Sequence, residues 1–162
     1  MNEPQRLLAL DQSSKCTGWA VYCNEKLENY GKFTFDDSDI INRLIGIKKQ
    51  IRQLFDDEDI NVVAIEDIQL QANNVVTYKA LAFVMAVILV ICKEYGVECE
   101  IISSSTWKSI CGIKGKTRVD QKKAAQRFVL EDFEIEATQD TVDAICIGYA
   151  FIKQNKSKIN WQ

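Results

Sequence analysis

The stretch RLLALDQSSKCTGWAVYCNEKLENYGKFTF (residues 6–35) decides the fold. Its apolar run 6–10 is typical of a central strand that ends at Asp11. Residues 17–23 are rich in the aromatic and β-branched residues that favour strands, and after a short polar turn residues 27–35 alternate in polarity. These three segments predict an antiparallel meander of three strands.

The rest of the chain alternates helical and strand patterns. Apolar spacing and capping signals predict five helices, and two apolar runs predict two more strands. In chain order the segments are helix 39–55, an acidic turn at 56–59, strand 61–66, helix 72–94, strand 97–102, a short helix ending near Gly112, and helices 118–130 and 140–153. The order predicts a single α/β domain over residues 1–162, with a mixed five-stranded sheet in which three antiparallel strands precede parallel βα units, and with helices on both faces.

Composition argues against several kinds of site. The chain has no histidine, and its six cysteines include no C-x-x-C pair, which argues against structural zinc and histidine-dependent nucleophilic catalysis. Unpaired cysteines and the lack of a signal peptide favour a reducing, cytoplasmic location. The most apolar run, residues 80–92, is too short to span a bilayer and predicts a buried helix, so no membrane association is expected.

Charge is unevenly distributed, although the net charge is only −3. Residues 103–127 contain seven basic residues and one acidic residue, so this segment carries +6 and the rest of the chain −9. A concentration of basic residues on an acidic protein is typical of a phosphate-binding surface. A solvated helix face explains the same pattern equally well, so the segment alone does not define a site.

Four acidic residues stand where their carboxylates can meet. Asp11 follows the first strand and Glu66 ends the fourth, so both lie at one sheet edge if these strands are neighbours. Asp140 and Asp143 are three residues apart and share a face of the last helix, although first-turn acids also stabilise a helix through its dipole. Together the four would hold two divalent cations about 4 Å apart, as in two-metal phosphodiester hydrolysis.

The segments that carry these acids resemble the RuvC family of Holliday-junction resolvases, and its compact bacteriophage-encoded members most. The resemblance covers nearly the whole chain and rests on LDQSSKCTGWA (residues 10–20), AIED (64–67) and DTVDAICIG (140–148). It implies an RNase H-like fold and a homodimer that nicks opposed strands of four-way junctions in DNA recombination and repair. It also implies two Mg²⁺ ions per site, with Mn²⁺ as a substitute. The catalytic metal ligands would be Asp11, Glu66, Asp140 and Asp143.

The resemblance also implies DNA-contacting residues and one departure. Trp107-Lys108-Ser109 and GIKGK (residues 112–116) match the region where the family keeps such lysines, and Lys108 is the main candidate. The further candidates are Lys116, Arg118, Lys122 and Lys123. Residues 68–74 lack the aromatic residue that cellular members stack on a base, which predicts weaker base stacking and leaves the cleavage-sequence preference open. Tyr78 is the nearest aromatic residue and is expected to be a packing residue.

A dimer is expected to form through the helix 72–94. Residues 81–89 are apolar on every side, whereas a helix packed only on its own sheet needs one apolar stripe. The surplus faces need a cover, either from other helices of the domain or from a second chain. A phage-encoded enzyme of this kind would act in the host-cell cytoplasm.

Other functions stay open at this point. Another RNase H-like nuclease, which cuts an RNA/DNA hybrid or transfers strands, would have the same fold and metals. A non-catalytic DNA-binding protein would not need four carboxylates. An actin-like or sugar-kinase-type ATPase would need a duplicated domain and a second glycine-rich phosphate loop, and the chain offers neither.

Overall fold

A mixed sheet of five strands lies at the centre of the structure, a computed structural model that describes residues 5–70 and 73–156. The strands are β1 (Arg6–Asp11), β2 (Cys16–Cys23), β3 (Lys26–Thr34), β4 (Val62–Glu66) and β5 (Glu98–Ile102). Across the sheet their order is β3-β2-β1-β4-β5. β1 pairs antiparallel with β2 and parallel with β4, and β4 pairs parallel with β5. The predicted meander and the predicted parallel units are both present.

Within the described residues, five helices cover the two faces of this sheet. They are α1 (Ile40–Glu58), α2 (Val75–Tyr95), α3 (Ser104–Ile110), α4 (Arg118–Phe133) and α5 (Gln139–Asn155). Alternate residues of a strand point to opposite faces. Leu8 and Leu10 of β1 therefore pack with α1 and α2, whereas Leu7 and Ala9 pack with α3, α4 and α5.

Several predicted boundaries differ from the structure by a few residues, and two of these differences involve a capping residue. The prediction of an acidic turn at 56–59 is wrong in part, because α1 continues to Glu58. Asp59 is the C-cap, and its left-handed φ of 48° ends the helix. Arg6 stabilises this last turn by donating from Nη2 to Glu58 Oε2 at 2.9 Å. At the second boundary, α2 begins at Val75, where Asn74 accepts a hydrogen bond from the Thr77 main-chain N–H. The predicted start at Ala72 lies outside the described residues.

α2 is more exposed than the sequence predicts. It has 21 residues, of which only Val84, Ile88, Ile91 and Cys92 are buried. In the described part of the chain it is the one helix that is long and apolar enough to cross a membrane. This is weak evidence for a membrane span, because core helices of soluble proteins can have the same length and composition. The prediction of a buried helix too short for a bilayer is therefore wrong. The sheet and α1 contact only one side of a helix that is apolar on several.

Candidate active site

Asp11 and Glu66 lie side by side because their strands are neighbours. β1 and β4 run parallel, and their last paired residues are Leu10 and Ile65. Each acidic residue directly follows its member of this pair, so both carboxylates emerge at the same edge of the sheet. The neighbouring position of β1 and β4, a condition of the sequence-based hypothesis, is thus met.

The first turn of α5 brings Asp140 and Asp143 to the same edge. This turn lies directly against Gly18, which pairs with Asp11 across the β1–β2 ladder. A Cβ at position 18 would overlap the main-chain carbonyl of Asp140, so only glycine permits this approach. The four carboxylates line one cleft of about 730 Å³.

Burial and mutual repulsion make the cluster electrostatically costly without a positive charge. Burial raises the pKa of Asp11 well above its usual range, and the negative charges of Asp143, Glu66 and Asp140 raise it further. Burial is also the largest cause that raises the pKa of Asp143 to about 6. The pKa of Glu66 is raised mainly by burial, which outweighs the hydrogen bond from Trp107. None of the four carboxylates belongs to an ion pair among the described residues.

Three of the carboxylates accept hydrogen bonds from side chains that the sequence hypothesis did not include. Trp107 Nε1 donates to Glu66 Oε2 at 2.5 Å, and Gln139 Nε2 donates to Asp143 Oδ1 at 2.7 Å. Cys16 Sγ donates to Asp140 Oδ2 at 3.2 Å. The four-residue spacing of Gln139 and Asp143 on a helix is a signal that was available in the sequence. Nothing in the sequence marks Cys16 or Trp107 as a partner of a distant acid.

The donor set fits hard divalent cations. All four candidate ligands are carboxylates, which Mg²⁺ and Mn²⁺ prefer, and positive charge would offset the burial and the repulsion that together raise the pKa of Asp11. Within residues 5–70 and 73–156, no three acidic or thiol side chains already converge tightly enough to enclose an ion. The four carboxylates therefore have the chemistry that a divalent cation requires.

The candidate DNA-contacting residues divide into two groups. Lys108, Arg118 and Lys122 line the same cleft as the carboxylates, whereas Lys116 and Lys123 are exposed and do not line it. Lys108 Nζ lies 3.2 Å from Gln121 Oε1 and 5.4 Å from the centre of the Trp107 ring. Part of the basic segment 103–127 therefore forms a wall of the cleft. Tyr78, expected to be a packing residue, is half-buried and lines the cleft as well.

The raised pKa values predict that the metal-free protein loses stability as pH rises. An unfolded aspartate ionises near 3.8, whereas folded Asp143 holds its proton until about pH 6, so the folded state binds more protons between these values. We expect the unfolding free energy to fall by on the order of 2 kcal/mol from pH 4 to pH 7 because of this residue. Urea unfolding in the presence of a chelator, repeated from pH 4 to pH 7, would measure this fall in the unfolding free energy. Asp143→Asn should remove this part of the pH dependence, and an unchanged pH dependence in that variant would contradict the assignment.

No protein-family model matches this chain, and no curated protein matches it. Several solved structures share its fold. Thermus thermophilus RuvC in complex with a Holliday-junction substrate superposes with a TM-score of 0.77 at 12% identity, covering 94% of this chain and 97% of that one. The yeast mitochondrial Holliday junction resolvase Ydc2 gives a TM-score of 0.65 at 12% identity, with 94% and 79% covered. The fowlpox virus resolvase with junction DNA gives 0.64 at 11% identity, with 93% and 98% covered.

These similarities confirm the predicted fold. The mixed five-stranded sheet with helices on its faces is the architecture shared with the RuvC structures, and the superposition on the junction-bound RuvC extends over nearly all of both chains. At identities of 11–14% the likeness is one of fold. The chemistry has to be argued from the cleft itself.

Proposed function

We propose that this protein is a metal-dependent, structure-selective endodeoxyribonuclease that nicks opposed strands of Holliday junctions and other branched DNA. One observation carries the proposal: carboxylates from β1, β4 and α5 line a single cleft together with Lys108, Arg118 and Lys122. Acidic ligands for cations beside basic groups for phosphates are what phosphodiester hydrolysis requires. Two of the structures that share the fold contain junction DNA, which supports this choice of substrate.

The roles of the individual residues follow from their places in the cleft. Asp11, Glu66, Asp140 and Asp143 would hold two Mg²⁺ ions, or Mn²⁺ in their place. When bound, such ions activate a water molecule for attack and stabilise the leaving oxygen. Lys108 and Arg118 would attract the phosphate next to the carboxylates, and the Trp107 and Gln139 hydrogen bonds would keep two of the carboxylates in place.

We further propose that the active form is a homodimer joined through α2. Three exposed apolar side chains of α2, Val76, Phe83 and Val90, recur every seven residues. Lys79, Ala86 and Lys93 are exposed as well and continue the same stripe. Val76, Phe83 and Val90 are 81%, 47% and 56% exposed. Alternating spacings of three and four residues are those of a helix-to-helix seam. A two-fold dimer would present two clefts to a junction that itself has near two-fold symmetry.

The bacteriophage-encoded members of the resolvase family remain the proposed relatives. An enzyme of that origin would act in the host-cell cytoplasm. All six cysteines in the structure are free thiols, which fits a reducing compartment.

A panel of labelled substrates tests the proposed function. We expect paired, symmetric nicks in a four-way junction when Mg²⁺ is present, and no cleavage when it is chelated. Linear duplex and an RNA/DNA hybrid of the same arm sequence serve as matched substrates. Preferential cleavage of the hybrid would favour the alternative RNase H-like nuclease, and binding without cleavage under all metal conditions would favour a non-catalytic DNA-binding protein.

The two groups of basic residues predict different effects on DNA binding. Lys122→Ala removes a cleft cation, so the log–log salt dependence of junction binding should flatten by up to about one unit of slope. Lys108→Ala should lower cleavage more than binding, because Lys108 stands next to the Trp107–Glu66 pair. Lys49→Ala, an exposed change on α1, is the control and should alter neither. Salt titrations with equal slopes for Lys122→Ala and wild type would mean that Lys122 makes no contact with a DNA phosphate.

A further inference from the structure

The Glu66 carboxylate is held by a single side-chain donor among the described residues, the indole of Trp107. Trp107 Nε1 donates to Glu66 Oε2 at 2.5 Å across 41 positions of sequence. The main chain of Glu66 is fixed separately. It pairs with Ile102 of β5, and its carbonyl oxygen accepts a hydrogen bond from Gln12 Nε2 at 2.6 Å. The backbone contacts set where Glu66 stands, and the indole sets how its carboxylate is turned.

The packing around Trp107 holds its indole, and with it the Glu66 carboxylate, in one orientation. Its side chain is only 2% exposed and packs in the cluster that joins the sheet to α3, α4 and α5. A tryptophan has one polar atom, the Nε1–H donor, and a buried ring cannot rotate to offer it elsewhere. Ser103 caps α3 through its side chain, which accepts a hydrogen bond from the Thr106 N–H and fixes the turn that carries Trp107. The donor is therefore rigid and aimed at one oxygen.

The same ring also lies next to a candidate DNA contact. Lys108 Nζ lies 5.4 Å from the ring centre and 3.2 Å from Gln121 Oε1. The face of the Trp107 ring thus contacts the Lys108 cation, and its Nε1–H donates to the Glu66 carboxylate. α3 thereby connects the basic wall of the cleft to its acidic wall.

We propose that Trp107 is a positioning residue for the metal site, which keeps Glu66 Oε2 engaged and leaves the second carboxylate oxygen, Oε1, for a divalent cation. This inference rests on the proposed function, because it concerns a cation that the carboxylates are proposed to bind. It goes beyond that function by assigning the orientation of one ligand to a residue that is neither a ligand nor a DNA contact. Partners of this kind that orient metal ligands commonly change metal affinity 10- to 100-fold when removed.

Trp107→Phe tests the inference, and the chain supplies a matched control. The variant keeps an aromatic ring but lacks the N–H donor. Trp19→Phe makes the same chemical change on β2, where Trp19 Nε1 has no hydrogen-bond partner in the described structure. We expect calorimetric Mn²⁺ titration without DNA to show affinity at least about tenfold weaker for Trp107→Phe and unchanged for Trp19→Phe. Junction binding in a chelator should equal that of wild type in both variants.

A second measurement keeps the inference testable if Trp107→Phe folds poorly. In wild-type protein the ¹H–¹⁵N signal of the Trp107 indole, assigned from the variants or by selective labelling, should lie downfield of the Trp19 signal and move on Mg²⁺ addition. Wild-type Mn²⁺ affinity in folded Trp107→Phe, or an indole signal insensitive to Mg²⁺, would overturn the role of Trp107 alone. Failure of the wild-type protein to bind Mn²⁺ at all would overturn the proposed function and this inference together.

Discussion

Asp143→Asn is expected to abolish metal-dependent cleavage of four-way junctions and to leave junction binding intact. The substitution keeps the volume of the side chain and removes one negative charge from a cluster of four. We expect the cleavage rate to fall about a thousandfold or more, since loss of residues that merely orient metal ligands already costs 10- to 100-fold in affinity or activity. Affinity for DNA in a chelator should be equal or higher, because a carboxylate near phosphate repels it. Single-turnover cleavage and gel-shift titration measure the two quantities.

The same result is expected for Asp11→Asn and Glu66→Gln, and Asp140→Asn belongs in the series. Asp57→Asn is the matched control, because this exposed carboxylate on α1 does not line the cleft. It should cleave at the wild-type rate. Robust cleavage by the Asp11, Glu66 or Asp143 variant would remove that residue from the proposed metal site. Loss of junction binding would mean that the carboxylate acts in folding or DNA contact.

Phe83→Glu is expected to convert a dimer into a monomer. Phe83 is the central aromatic residue of the exposed α2 stripe, and a two-fold interface would contain the new carboxylate twice. Placing carboxylates in an apolar contact should weaken dimerisation by at least about 4 kcal/mol, roughly a thousandfold. Sedimentation at micromolar concentration should show twice the 18.5 kDa chain mass for wild type and the chain mass for the variant. The variant should also lose paired, symmetric nicking.

Leu130→Glu on α4 is the control for that experiment. Leu130 is 46% exposed, almost the same as the 47% of Phe83, but it lies on a helix outside the proposed interface. It should remain dimeric. A wild-type monomer that makes paired nicks would refute both the interface and the reason for it. Flotation of wild-type protein with lipid vesicles, lost in Phe83→Glu, would assign the exposed face of α2 to a membrane instead.

The order of the elements could be predicted because it depends on local patterns. Alternating polarity in the meander and helical spacing in α1 are properties of neighbouring residues, and the structure confirms them. The end of α1 could not be predicted as well. Its acidic last turn is held by Arg6, a residue more than fifty positions earlier, and no local pattern contains that contact.

The candidate site shows the same division. Acidic residues at the ends of two predicted strands and on one helical face pointed to Asp11, Glu66, Asp140 and Asp143. Their convergence depended on β1 lying next to β4 and on Gly18 admitting α5. The basic segment pointed to phosphate contacts without separating Lys122, which lines the cleft, from Lys123, which does not. That separation depends on how α4 is rotated against the sheet.

Residue types and their periodicity were enough to establish the strands, the helices and the oxygen-rich chemistry of the acidic cluster, because each depends on positions close in sequence. Packing determined the hydrogen bonds of Trp107 and Cys16, because these bonds join residues 41 and 124 positions apart. Packing also determined the exposure of α2, because exposure depends on which face of the helix a neighbour covers. A linear pattern shows that a helix is apolar on many sides. Only the packed sheet and helices determine which of those sides is left for a partner.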